Sequence, residues 1–148
     1  MKFITLVSVT LFVICGTFSS AVAADWISVY SQGGVDYYYD RKSITYDDNE
    51  RIKVDTKTFF EYDAVKETFI KERRDAGLST EGWNKLRYFI SRIEINCSSK
   101  RVNFLSDSTY DDWDNLLTSH DKANVQAWIP IADNSLLMFT YNAVCGVR

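Results

Sequence analysis

The chain is poor in histidine, cysteine and proline, and it carries no surplus of positive charge. Its 148 residues include one His, three Cys and one Pro. The lone histidine, His120 in "LTSHDKAN", has no second His or Cys at metal-ligand spacing, which excludes the usual zinc arrangements and leaves a solvated loop residue as the plainer reading. A hydrolase needs a nucleophile with its base, a carboxylate pair in a pocket, or a metal. No motif of that kind stands out, so a non-enzymatic protein without cofactor or metal is expected. The chain shows no Pro-rich linker and no internal repeat, which argues for one domain. With 17 Lys and Arg against 20 Asp and Glu, the formal charge is −3. Nothing then steers the whole molecule toward phosphates, and a general nucleic-acid or anionic-lipid binder is excluded.

Long hydrophobic runs are scarce as well. The one candidate, residues 3–15, is followed by small residues and "AVAA" before the first acidic residue, the pattern of a secretory signal peptide. At 13 residues it falls short of the roughly 20 needed to span a bilayer. Cys15 follows Ile14, where a bacterial lipobox carries a small residue, so lipid anchoring is not expected. Cleavage after Ala23 or Ala24 predicts a signal over residues 1–24 and one mature domain over 25–148, that is 148 minus 24, or 124 residues. Removal of Lys2 takes the basic residues from 17 to 16 against 20 acidic ones, a formal charge of −4. Cys15 leaves too. The remaining two cysteines, Cys97 and Cys145, are expected to pair in an oxidising compartment.

Aromatic residues are plentiful, at 15% of the chain, and suit strands. "DWISVY", "SQGG" and "VDYYYD" read as a hairpin around a glycine turn. "RKSITYDDNERIKVDTKTFFEY" reads as a second hairpin with its turn at "DDNE". In it Ile52, Val54, Thr56, Thr58, Phe60 and Tyr62 share one face, with Lys53, Asp55, Lys57 and Glu61 on the other. Residues 63–82 lose the two-residue period and read as a long connection holding a short helix, capped by Asp63 and supported by Glu67 with Lys71. "WNKLRYFISRIEINC" is the longest strand and has apolar residues on both faces. "SSKR" turns the chain into "VNFLSDSTY", which pairs back. "DDWDNLLTSHDKANVQAW" reads as a polar loop. "IPIADNSLLMFTYNAVCGVR" shifts to a helical period, with Asp133 or Asn134 as cap, a stripe of Leu137, Tyr141, Val144 and Cys145, and Gly146 as the end. The expected fold is α+β: an antiparallel sheet with a C-terminal helix packed on one face and tied to it by Cys97–Cys145.

In order and spacing, "DWISVY", "YYYDRKSI", "IEINCSSKR" and "WIPIADNS" running into "AVCG" resemble the bacterial surface-adhesin protein E family over nearly the whole mature chain. The resemblance implies a sheet of about six antiparallel strands and export across a Gram-negative inner membrane. It implies a protein partner, namely a host extracellular-matrix or serum protein bound at the cell surface. The clean "AVAA" site keeps a second reading open, a soluble periplasmic protein that binds an envelope component or inhibits an envelope enzyme. A homodimer also stays open, and no transmembrane segment is expected after signal cleavage.

The basic residues Lys66, Lys71, Arg73 and Arg74 form the first binding candidate, because they lie on the longest connection, where binding residues concentrate. Glu67, Glu72 and Asp75 interleave with them, which is the pattern of an ordinary salt-bridged surface. Lys100 and Arg101 make a smaller basic pair that reads as turn solvation. Asp111, Asp112 and Asp114 around Trp113 lack the glycine and terminal Glu of a calcium loop and read as a solvated acidic turn. Tyr37, Tyr38 and Tyr39 look like a platform, but alternation lets only Tyr37 and Tyr39 share a side, and core packing explains them more simply. Trp26, Trp83 and Trp128 are expected to pack.

Overall fold

The computed structural model describes residues 23–47, 51–75, 77, 79–122 and 127–146. Almost all of the expected signal segment and most of the "DDNE" turn lie outside them. Eight strands form one antiparallel sheet: β1 (Trp26–Gln32), β2 (Val35–Asp40), β3 (Thr45–Tyr46), β4 (Arg51–Phe60), β5 (Tyr88–Asn96), β6 (Arg101–Tyr110), β7 (Leu116–Asp121) and β8 (Ile129–Pro130). The main path runs β1-β2-β4-β5-β6-β7, with β3 pairing the part of β4 that β2 leaves uncovered and β8 the part of β6 that β7 leaves uncovered. Helix α1 (Asp63–Asp75) interrupts this meander between β4 and β5, and α2 (Leu136–Cys145) ends it.

Strict alternation in β4 sets the two faces. Ile52, Val54, Thr56, Thr58 and Phe60 are buried while their odd-numbered neighbours are half-exposed. Tyr62 does not continue this face. The strand ends at Phe60, and Tyr62 lies exposed in the turn into α1. Register carries the buried face across the sheet, since Val54 pairs with Ile93 and Ile52 with Ile95, and Ile95 in turn with Val102. These side chains are fully buried with Met138 and Val144 of α2, and Leu137, Tyr141 and Cys145 pack against them. The bridge Cys97–Cys145, with a Cα–Cα distance of 5.7 Å, fixes the end of α2 to the end of β5. Next to it the Tyr141 hydroxyl donates to the Cys97 carbonyl at 2.9 Å.

Both ends of α2 differ in detail from the expectation. Ser135, in extended conformation, is its N-cap, and Asp133 is paired with Lys100 instead. Gly146 stops the helix without a left-handed turn. Its N–H bonds the Asn142 carbonyl, and a Cβ there would stand 2.5 Å from that oxygen, so only glycine fits.

Three further sequence readings are corrected. The run from Trp83 to Cys97 is not the longest strand: Trp83–Lys85 is a short 3-10 helix, and β5, at 9 residues, is shorter than β4 and β6 at 10 each. Residues 63–75 form a helix of 13 residues rather than a mostly irregular connection. An acidic first turn, a basic last turn and a stripe of Val65, Phe69 and Ile70 favour it, and it packs on Phe60, Phe89, Trp83 and Leu86 at the opposite end of the same sheet face. Within the stretch read as a polar loop, Leu116–Asp121 is strand β7 on the sheet edge. Mutual hydroxyl pairs, Thr109 with Thr118 at 2.7 Å and Ser108 with Ser119 at 2.9 Å, hold it, and Leu117 alone packs against the core under α1.

Candidate functional site

Helix geometry separates the four basic residues of α1. At about 100° per residue, Lys66 and Arg73 fall on one side and Lys71 and Arg74 on another. Lys66 is ion-paired to Asp63 at 2.7 Å, and Lys71 to Asp75 at 2.6 Å rather than to Glu67. The Lys66 ammonium holds the Asp63 carboxyl below its ordinary range by hydrogen bond and charge. Arg73 stacks over the Trp83 ring at 4.3 Å and donates to the Ser79 carbonyl. The four cations therefore do not converge on one point.

The other candidates are tied into the fold. Lys100 pairs with Asp133, and Arg101 donates to the Trp128 carbonyl at 2.7 Å, so this basic pair anchors the segment leading into α2. The acidic turn is a capped structure. Asp111 accepts from the backbone N–H groups of Trp113 and Asn115 and from the Asn115 side chain. Its pKa is lowered chiefly by the Asn115 side chain. Asp112 faces Arg87 at 3.3 Å, and Asp114 accepts from the Tyr88 hydroxyl at 2.8 Å. His120 sits on strand β7 rather than in a loop, opposite Asp107 in register, and lines a cavity of about 50 Å³ with Arg73 and Thr118. Among the described residues no group of three or more His, Cys, Asp or Glu is placed to hold a metal ion. No helix among them is long and apolar enough to cross a membrane.

The tyrosine run divides as alternation requires. Tyr37 is buried, which pushes its phenol pKa up, and Tyr39 packs on the α2 side. Tyr38 lies on the opposite face. On the helix side, a groove of about 540 Å³ opens between α1, the sheet and the start of α2, walled by Val65, Phe69, Phe89 and Leu136 with Glu72 at its lip.

The face without helices carries the more specific chemistry. Tyr38 stands opposite Lys57 in register, Phe59 opposite Tyr88, and Tyr88 opposite Tyr110. With Trp26 from β1 they make an aromatic row across five strands. Tyr88 stacks on Tyr110 with centroids 4.9 Å apart, and Arg87 lies over Phe59 at 4.1 Å. Lys57 Nζ sits 3.9 Å from the Tyr88 ring centre and 5.8 Å from that of Trp26. Among the described residues no carboxylate is ion-paired with it. Burial lowers the Lys57 pKa, and the charge of Asp114 opposes that shift. Burial raises Tyr88, reinforced by its bond to Asp114, and raises Tyr38, reinforced by Asp36. Trp26, Tyr38, Lys57 and Phe59 line an open hollow of about 280 Å³. Sequence reading passed over Lys57 as one polar residue in an alternating strand. Its aromatic surroundings come from three other strands, and the only local signal was Phe59 on the same face.

The family model of surface-adhesin protein E matches residues 26–146. The solved structure of Haemophilus influenzae protein E is similar at 14% identity and a TM-score of 0.48, covering 80% of this chain and 88% of that one. A second crystal form of it covers 91% of that chain with the same score and identity. No curated protein matches the chain.

Proposed function

The chain belongs to the surface-adhesin protein E family, and from that premise we propose that it is an exported, non-catalytic envelope protein that binds host matrix or serum proteins. The observation that carries this reading is the family match over residues 26–146, which spans the whole described domain. Two structural features support it. The helix-free face is aromatic, with Lys57 and Arg87 against its rings, a composition enriched at protein interfaces. The disulfide suits an oxidising compartment outside the cytoplasm. Lys66, Lys71, Arg73 and Arg74 remain a proposed second contact, in which Lys71 and Arg74 on the outer side of α1 attract acidic segments of the partner.

The test has two stages. Antibody or protease should reach the protein on intact cells as well as on permeabilised ones. The purified exported protein should then bind immobilised laminin, vitronectin or plasminogen saturably. Protection until the outer membrane is opened would favour the second reading, a soluble periplasmic protein acting on an envelope component or enzyme. The specific observation behind that alternative is the "AVAA" cleavage pattern with Ile14 before Cys15.

A further inference from the structure

The hollow around Lys57 combines aromatic walls, from Trp26, Tyr38 and Phe59, with a single ammonium. At about 280 Å³ it is smaller than the roughly 300–1,000 Å³ that encloses a whole small ligand, so it takes one ring of a larger molecule. A pyranose suits such walls. Its axial C–H bonds present a weakly positive face to the negative face of an aromatic ring, while its substituents project at the rim.

Charge narrows the choice. Lys57 Nζ is partly withdrawn from water yet contacts only ring faces among the described residues, an arrangement that leaves its donors free for an incoming oxygen. Of the nearby carboxylates, Asp114 is engaged by the Tyr88 hydroxyl, while Asp36 and Glu61 act on Tyr38 through their charge. Their charges still stand beside the hollow. A densely sulfated chain would meet that repulsion at several points, whereas a ligand with one carboxylate per repeat can place it on Lys57 alone.

We infer that the hollow formed by Trp26, Tyr38, Lys57 and Phe59 binds an unsulfated uronic-acid sugar of a host matrix glycan, its ring stacked on the aromatic walls and its carboxylate on the Lys57 ammonium. This rests on the proposed role outside the cell for the source of the glycan, but the chemistry of the hollow stands apart from it.

The test is calorimetric titration of the exported protein with hyaluronan hexasaccharide, and with neutral chitohexaose and sulfated heparin hexasaccharide as contrasts. Hyaluronan should bind at 1:1, and chitohexaose roughly tenfold more weakly, the size expected for one lost charge-assisted hydrogen bond. Lys57→Gln should bring hyaluronan down to the chitohexaose level, Lys57→Arg should keep most of the difference, and Trp26→Ala should weaken both sugars. Lys71→Ala with Arg74→Ala should change neither. Unchanged melting of Lys57→Gln shows that the fold is intact, so the result does not depend on the Trp26 variant. Equal affinity for the acidic and neutral sugars, tighter binding of heparin, or undiminished binding by Lys57→Gln would overturn the inference. Binding of laminin or vitronectin without hyaluronan would refute this site and leave the adhesin reading standing. Hyaluronan binding without any matrix protein would do the reverse.

Discussion

Reduction of the Cys97–Cys145 bond should cost the protein a large share of its stability without dissolving its core. The bridge closes a loop of 48 positions. Loop-closure entropy assigns such a crosslink about 4 kcal/mol at 25 °C, acting through the unfolded chain, which regains conformations once the bond opens. On the native side much persists. Met138 and Val144 stay packed on Ile93 and Ile95, and the Tyr141 hydroxyl bond to the Cys97 carbonyl does not involve sulfur. Domains of this size hold about 5–15 kcal/mol in total, so the reduced protein should remain folded but weakened.

The assay is urea denaturation of oxidised and reduced protein, followed by tryptophan fluorescence. The expected outcome is a stability difference of about 4 kcal/mol and a larger slope for the reduced form, because an uncrosslinked denatured chain exposes more surface. A loss under about 1 kcal/mol with an unchanged slope would refute the loop-closure reasoning. A double Cys97→Ala, Cys145→Ala variant separates the remaining term. It should match the reduced protein closely, and a much larger loss would mean that the sulfur atoms matter by packing.

Further perturbations probe other parts of the fold. Gly33 and Gly34 both have positive φ in the β1–β2 turn, but a Cβ at Gly33 meets open space whereas one at Gly34 strikes the Tyr62 ring. Gly33→Ala should cost about 1 kcal/mol of backbone strain and Gly34→Ala about 2–3, read from paired denaturation curves. Ile95→Ala, at a fully buried position in the sheet under α2, should lose about 2–5 kcal/mol, measured the same way. Asp111 has a lowered pKa in the folded protein, so its contribution is present above the unfolded carboxyl pKa and is lost as pH falls through the folded one. The melting-temperature gap between wild type and Asp111→Ala should therefore be open near neutral pH and close in acid. A gap independent of pH would show that the carboxylate charge is not what holds the turn.

The buried half of this molecule was legible because burial writes a period into the chain. Ile52 to Phe60 alternate in the sequence as they do in the sheet, and the cysteine pair needed only the loss of Cys15 to become unambiguous. Strand β7 shows the converse. As an edge strand it places only Leu117 against the core and is otherwise held by backbone bonds and hydroxyl pairs, so "LLTSHD" carries no apolar alternation to read. Helix α1 lies between these cases. Its stripe of Val65, Phe69 and Ile70 is narrow, and ten of its thirteen residues are something other than these three, so polarity hid the period.

The candidate site was harder to read for a reason that extends beyond this fold. Lys57 acquires its environment from Trp26 and Tyr38 on the preceding strands and Tyr88 on the following one, neighbours 19 to 31 positions away that only register brings together. A core position can be inferred from its own strand because the requirement placed on it, to be apolar, is the same whatever lies opposite. A surface position gains meaning from which particular side chains lie opposite, and a shift of one residue in β2 against β4 would set Tyr37 or Tyr39, not Tyr38, beside Lys57. Register in turn depends on the buried face, where Tyr37 meets Thr58 and Tyr39 meets Thr56. The hydrophobic pattern therefore specifies the exposed site indirectly: each buried residue that locks one face of the sheet also aligns the aromatic row on the other.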